Sequence, residues 1–310
     1  MQTIRGWRGL GAGEKGACAA FGAFDGVHRG HERVIGLAAE AAHRQRAPLG
    51  VVSFEPHPWR WFHPEDPPFL LTTPRQQAAR FEALGVERLY VLPFDDHLAG
   101  LSAEAFAEEV LAEGLGVRHI VVGFDASFGR GRTGDGELLA KLGERLGFGV
   151  TIAPPVSDHA GYRLSSTAAR RAIQTGQPEL AADILGRPFA IEGVVQLGRQ
   201  LGRTLGFPTA NVALGDYVRP RLGIYATRTR LQDGRRLDGV ASVGANPTVG
   251  EVEPRLEVFL FDFDDDLYGQ TIETELIAYL RPEQKFANVE LMVEQIRADA
   301  EDARRLLAKG

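Results

Sequence analysis

The chain has 310 residues, long for a single hydrophobic core, so two domains are expected. Its 44% hydrophobic content is that of a water-soluble globular protein, and a formal net charge of −6 argues against a dedicated nucleic-acid partner. Cys18 is the only cysteine, so no intrachain disulfide can form; no run reaches the ~20 apolar residues of a spanning helix, and Glu14 and Lys15 interrupt any signal-peptide core, so a cytoplasmic protein with no membrane partner is expected.

The first half alternates strand and helix patterns. Ala17 to Phe21 is a short apolar strand, and Gly22 and Gly26 then allow a tight turn with close backbone approach to a ligand. From His31 an amphipathic helical pattern runs through Val34, Ile35, Leu37 and Ala38 to Ala42. A helix starting there aims its open N–H groups at the turn, which suits a phosphate, and His28 and His31 at the same mouth can donate to phosphate oxygens without a metal. Strands follow at Leu49–Phe54, Leu89–Leu92, Ile120–Val122 and Val150–Ile152. Helices lie between them: one begins at Thr73-Pro74 and closes near Gly85, one runs from the Ser102 cap through Leu111, and one spans Leu138 to Leu146. This rhythm predicts a doubly wound parallel sheet, with ligands beyond the carboxyl ends of its strands.

The remaining motifs of this half fall at such ends. Phe54-Glu55-Pro56-His57-Pro58 makes a rigid proline turn after the second strand. The loop Gly123 to Arg132, with three glycines and two arginines, suits an anion site. Ser165, Ser166 and Thr167, with Arg170 one turn into the following helix, form either an anion cradle or an ordinary N-cap.

Beyond Gly186 the rhythm stops. Short β-like segments recur at Phe189–Val195, Ile224–Leu231, Leu237–Val243, Leu256–Phe261 and Thr271–Tyr279, before a long helix from Val289 to Leu307. Such a series is a sandwich or a small closed barrel. Gly206-Phe207-Pro208-Thr209-Ala210-Asn211 offers a hydroxyl and an amide oxygen beside a rigid proline, a donor set suited to Mg²⁺. In the strand Leu256 to Phe261, Glu257 shares a face with Phe259 and Phe261, and an acid among aromatics can serve as a base near neutrality.

Taken together, GAFDGVHRGH, SFEPHP, VLPFD, GFDASFGRGRTGD, LSSTAAR, LGRTLGFPTAN, LEVFLFDF, YG and LRPEQKF resemble, in order and spacing, the bifunctional riboflavin kinase/FMN adenylyltransferases of bacteria. The resemblance covers residues from about 17 to 307. It implies a nucleotidyltransferase-like domain at 1–183 and a riboflavin kinase domain at 184–310, an antiparallel β-barrel with a terminal helix. It further implies ATP as co-substrate, Mg²⁺ as cofactor, and riboflavin, FMN and FAD as substrates or products. In the first domain, Gly22, Ala23, Phe24, Asp25, His28, His31, Ser165, Ser166, Thr167 and Arg170 would bind ATP, with both histidines catalytic. Pro56, His57, Pro58 and Asp125 would border the flavin. In the second, Glu257 would be the catalytic base; Gly202, Arg203, Gly206, Pro208, Thr209 and Asn211 would bind ATP, and Thr209 and Asn211 the metal. The chain departs from the family pattern at Ala126, Ala169, Leu197 and Arg199. Those departures motivate a rival reading as a flavin sensor with decayed catalysis, against which His28, His31, Asp125, Thr209 and Glu257 are all retained.

Overall fold

A computed structural model describes residues 1–157, 161, 163–197, 205–244 and 254–309. The chain forms two compact units, one of Met1–Asp66 with Pro74–Leu164, the other of Pro67–Thr73 with Ser165–Gly310.

The first unit carries β1 (Gln2–Arg5), β2 (Cys18–Phe21), α1 (Arg29–Gln45), β3 (Leu49–Glu55), α2 (Pro58–Phe62), α3 (Pro74–Ala83) and β4 (Arg88–Pro93). It continues through α4 (Asp96–Gly100), α5 (Ala103–Ala105), β5 (His119–Gly123), α6 (Gly136–Leu146) and β6 (Gly149–Ala153). Past Ala105 the α5 segment runs on as a π-helix over Phe106–Gly114, longer and differently wound than the helix to Leu111 that the pattern predicts. The sheet is wholly parallel, in the order β1-β4-β3-β2-β5-β6. Strand β1, too short and polar to register in the sequence pattern, adds the outer edge.

Strand β2 shows why this sheet needs small residues at its centre. Ala17, Ala19 and Phe21 enter the core on one face, Cys18 and Ala20 the core on the other. Gly50 in β3 lies so close that a Cβ there would stand 3.0 Å from that of Ala17 and 3.1 Å from that of Ala19. Chain order reverses at β2: β3 lies on one side of it, β5 on the other. That switch point opens a crevice at the carboxyl end of β2, where such sheets bind ligands.

The second unit begins with α7 (Ser166–Gln174) and α8 (Pro178–Leu185) and continues through β7 (Phe189–Gln196), β8 (Ala210–Ala213), β9 (Gly223–Arg230), β10 (Arg236–Gly244), β11 (Arg255–Leu260) and β12 (Thr271–Arg281) to α9 (Val289–Leu307). The six strands close as β10-β11-β8-β7-β12-β9, antiparallel throughout, so the barrel reading holds over the sandwich. Closure removes every sheet edge. Leu256, Val258 and Leu260 alternate inward, while Phe259 and Phe261 turn outward, where Ala300, Ala303 and Leu307 of α9 pack. Arg281 clamps α9 by two bonds to Asp299, at 2.8 and 2.7 Å.

Candidate active sites

At the carboxyl end of β2 the backbone makes a sharp turn. Phe24 (φ 53°), Gly26 (φ 81°) and Val27 (φ 40°) all take left-handed conformations. For the two non-glycine residues that costs about 1–3 kcal/mol each. Burial holds them there: Phe24 is 2% and Val27 0% exposed, and the Phe24 ring packs edge-on to Phe81 and His31. Asp25, between them, is 2% exposed.

The turn delivers His28 to the N-cap of α1, whose first residue, Arg29, lies two residues before the start the sequence pattern suggests. Its Nδ1 accepts the His31 backbone N–H at 3.2 Å. A ring nitrogen that accepts carries no proton, so the cap puts the neutral imidazole's hydrogen on Nε2 as a donor. The His28 and His31 rings stack at 3.6 Å. Gly30 is part of the same device, since a Cβ there would meet the His28 ring at 2.9 Å and the Leu164 carbonyl at 3.3 Å. Two stacked imidazoles thus sit at the positive end of a 17-residue helix, on the sheet's switch point.

At the end of β3, His57 caps α2 by accepting the Trp59 N–H at 3.1 Å, with Pro58 as first helical residue; the Glu55–Pro56 peptide is cis. The sequence reading missed what α2 displays. Trp61 and Phe62 meet Phe94 at 6.3 and 5.7 Å, Phe94 meets Phe54 at 5.5 Å, and Phe54 meets the core ring of Phe21 at 5.7 Å. Phe62 stays 60% exposed, so the outer end of this aromatic series faces solvent. The run Trp59-Arg60-Trp61-Phe62 is the signal that could have found it.

At the end of β5, Asp125 pairs with Arg163, whose guanidinium lies 4.5 Å from the Phe124 ring centre. Gly129 of this loop and Gly134 just beyond it have packing reasons. A Cβ at Gly129 would stand 2.6 Å from the Ala103 nitrogen, and one at Gly134 2.8 Å from Phe128. Arg132 is engaged by the Ser127 hydroxyl at 2.8 Å.

In the second unit, Ser165 is the N-cap of α7, accepting the Ala168 N–H at 3.2 Å. Ser166 and Thr167 form the first turn, and Arg170 donates to the Phe69 carbonyl at 2.8 Å. Ala169 is fully buried.

The barrel brings the other candidates together by register. Asn211 of β8 pairs with Glu257 of β11, which pairs in turn with Ser242 of β10. Pro208, Thr209, Ala210 and Asn211 line a cavity of about 220 Å³ with Val195, Val258, Leu260, Leu267 and Tyr268; Asp264, Asp265 and Asp266 complete its wall. Gly206 takes φ 85° ahead of it, and Phe207 packs edge-on to Phe259 at 5.4 Å. Asn211 is 7% exposed, and its amide nitrogen donates to the Thr209 carbonyl at 3.4 Å. That bond leaves the amide oxygen as the group to be offered, and with the Thr209 hydroxyl it makes a hard-oxygen pair that fits Mg²⁺. Among the described residues no three His, Cys, Asp or Glu side chains are grouped to hold a metal. Gly202 and Arg203, with Arg199, lie outside the described residues; Leu197 is 69% exposed.

Comparison with known proteins fits this division of labour. The family model described as FAD synthetase matches residues 12–168, and that described as riboflavin kinase matches 185–307. Together they define a transferase of flavin nucleotides with two active centres. The chain is 42% identical over 309 residues to the bifunctional riboflavin kinase/FMN adenylyltransferase of Pseudomonas fluorescens, covering 99% of this chain and 98% of that one. It is 39% identical to the Escherichia coli K12 protein of the same description over 305 residues, covering 98% and 97%. A crystal structure from Streptococcus pneumoniae, described as a macrolide-efflux protein, superposes with a TM-score of 0.87 at 33% identity, covering 97% and 98%. Among the described residues of this chain no helix is long and apolar enough to cross a membrane. The chain belongs to the bifunctional riboflavin kinase/FMN adenylyltransferase family.

Proposed function

We propose that the two activities of the family divide on this chain at residues 183/184, with FMN adenylylation assigned to 1–183 and riboflavin phosphorylation to 184–310. The kinase model's match from residue 185 supports that divide, although by packing α7 and α8 belong with the second unit.

In the kinase, Glu257 takes the proton of the ribityl 5′-hydroxyl as that oxygen bonds to the γ-phosphorus of ATP. The bond from the γ-phosphorus to its bridging oxygen breaks, and FMN and ADP result. Thr209 and Asn211 hold Mg²⁺, which when bound neutralises charge on the transferring phosphoryl group. Pro208 and the apolar walls of the 220 Å³ cavity take the adenine, with Gly202, Arg203 and Gly206 on the nucleotide. The observation that carries this reading is the register that seats Glu257 beside Asn211.

In the adenylyltransferase, a phosphate oxygen of FMN attacks the α-phosphorus of a second ATP, and pyrophosphate leaves. The nucleophile is already an anion, so the protein supplies position and charge neutralisation in place of a base. His28, through Nε2–H, and His31 donate to the phosphates; Gly22, Ala23, Phe24 and Asp25 face the nucleotide. Ser165, Ser166, Thr167 and Arg170 hold the β- and γ-phosphates. Pro56, His57 and Pro58 border the isoalloxazine, for which Trp61, Phe62 and Phe94 offer a stacking platform, and Asp125 lies toward the reacting groups. The reaction is placed in the cytoplasm, with no nucleic-acid partner.

The test is product analysis of the intact chain with riboflavin and Mg-ATP. His28→Ala with His31→Ala should abolish FAD and spare FMN, whereas Glu257→Gln should abolish FMN from riboflavin and spare FAD from supplied FMN. Equal loss of both products in either folded variant refutes the two-centre assignment.

A further inference from the structure

Glu283, in the segment after β12, has no part in the reading above, yet it lies against the kinase centre. A Cβ built on Gly244, the last residue of β10, would sit against the Glu283 carboxylate, only 3.0 Å from its carboxyl carbon and 3.5 Å from the Ser242 hydroxyl. The Glu283 carboxylate therefore rests on the bare Cα of Gly244, beside Ser242. Residues 242 and 244 share one face of β10, and Ser242 is the register partner of Glu257. Partial burial, and secondarily the charge of Glu257, push the Glu283 carboxyl above its usual range. Two cations lie two residues away on its own segment: Arg281 is committed to Asp299, and Lys285 makes no ion pair with Glu283 among the described residues. No hydrogen bond or ion pair to Glu283 occurs among the described residues. Glu283 is an exposed residue, so its carboxylate, held beside a like charge on the barrel, is open to a donor that a ligand brings.

We propose that Glu283 reads the ribityl chain of riboflavin, its carboxylate accepting a hydrogen bond from a secondary hydroxyl while Glu257 takes the terminal one. The inference rests on Glu257 being the kinase base. It explains why a glycine stands at 244, since any side chain there would push the carboxylate aside. Riboflavin is suited to such a reader, because its polyol presents several donors in a row and a row of acceptors can fix which oxygen reaches the phosphorus. The role is one of substrate positioning; no proton is transferred to Glu283.

The experiment uses the full chain and compares kcat/KM of the kinase step for riboflavin with that for its 3′-deoxy and 4′-deoxy analogues. The wild type should prefer riboflavin over at least one analogue by about ten-fold or more, the size of a hydrogen bond to a charged acceptor. Glu283→Ala should bring that preference close to parity, mostly by lowering kcat/KM for riboflavin itself. Gly244→Ala, whose backbone conformation needs no glycine, should do the same by displacing the carboxylate. FAD formation from supplied FMN reports folding in each variant. Equal proportional loss for riboflavin and both analogues, or an undiminished preference, overturns the proposal. If Glu257→Gln keeps near wild-type kinase turnover, the reading it rests on fails instead.

Discussion

Replacing Gly30 by alanine separates geometry from stability at the adenylyltransferase centre. The backbone there is ordinary, so alanine meets no conformational barrier and gains up to about 1 kcal/mol of helix propensity. Against that, its Cβ would lie 2.9 Å from the His28 ring, where ordinary contact begins near 3.4 Å, so the imidazole must retreat by about 0.5 Å. The retreat strains or breaks the cap to the His31 N–H, a loss of about 0.5–2 kcal/mol. The two terms nearly cancel, and a melting temperature within a few degrees of wild type is expected. Catalysis has no such compensation. The 3.6 Å stack and the aim of Nε2 both depend on where that ring sits, and a misplacement approaching 1 Å can cost about 100-fold. FAD formation from FMN and Mg-ATP should therefore fall by about ten- to a hundred-fold while riboflavin phosphorylation stays at wild-type rate. Chromatography of both products beside a thermal melt decides it. Undiminished FAD synthesis in a folded Gly30→Ala protein would refute the argument that the two histidines act through this geometry.

Three further outcomes are expected. The Thr227 hydroxyl is wholly buried in the barrel with no partner among the described residues, so Thr227→Val should leave stability unchanged or raise it by up to about 1 kcal/mol, whereas Thr229→Val, which strips Thr274 of its 3.0 Å bond, should cost about 1–2 kcal/mol by denaturant titration. Arg281→Ala should cost about 2–3 kcal/mol and loosen α9, because Asp299 is 5% exposed and would lose both guanidinium bonds; Arg281 keeps some solvent contact, which holds the loss below that of a fully buried pair. Burial, helped by the charge of Arg44, holds the His119 imidazole below its usual pKa, so the unfolded chain binds the proton more readily. The His119 contribution is thus present above about pH 6.5, the unfolded value, and is lost as pH falls through the folded one; His119→Gln should give a shallower fall of stability with acid, read by denaturation at stepped pH.

Much of the fold was legible because periodicity and burial coincide. Strands such as β3 and β5, apolar on both faces, could only be central strands of a covered sheet, and α9 showed its apolar positions over nineteen residues. What escaped was short or set by packing. β1 and β8 have four residues each and lack the continuous apolar run that betrayed β2, and the segment after Ala105 reads as an ordinary helix in sequence although it winds as a π-helix. The loop from Gly123 to Arg132 looked like an anion site because glycine and arginine are what such sites use. In the structure one of those glycines, Gly129, also makes room for Ala103, a packing need that nothing local in the sequence announces.

The candidate sites divide along a physical line. His28, Gly30 and His31 act through one helical turn, so the chain itself sets their distances and a motif can carry them. The same holds for Pro208, Thr209 and Asn211, which enter one strand together. The pairing of Asn211 with Glu257, and of Glu257 with Ser242, depends on barrel register, which is fixed by closure of six strands and by which residues face inward. A one-residue slip of β11 would turn Glu257 into the core and bring Leu256 or Val258 to the face it now shares with Asn211. The alternation of Leu256, Val258 and Leu260, each under 5% exposed, is therefore what aims the Glu257 carboxylate. Glu283 shows the limit of motif reading. It lies 39 residues from Gly244, and nothing local to either position says that the absence of a side chain at one makes room for the carboxylate of the other.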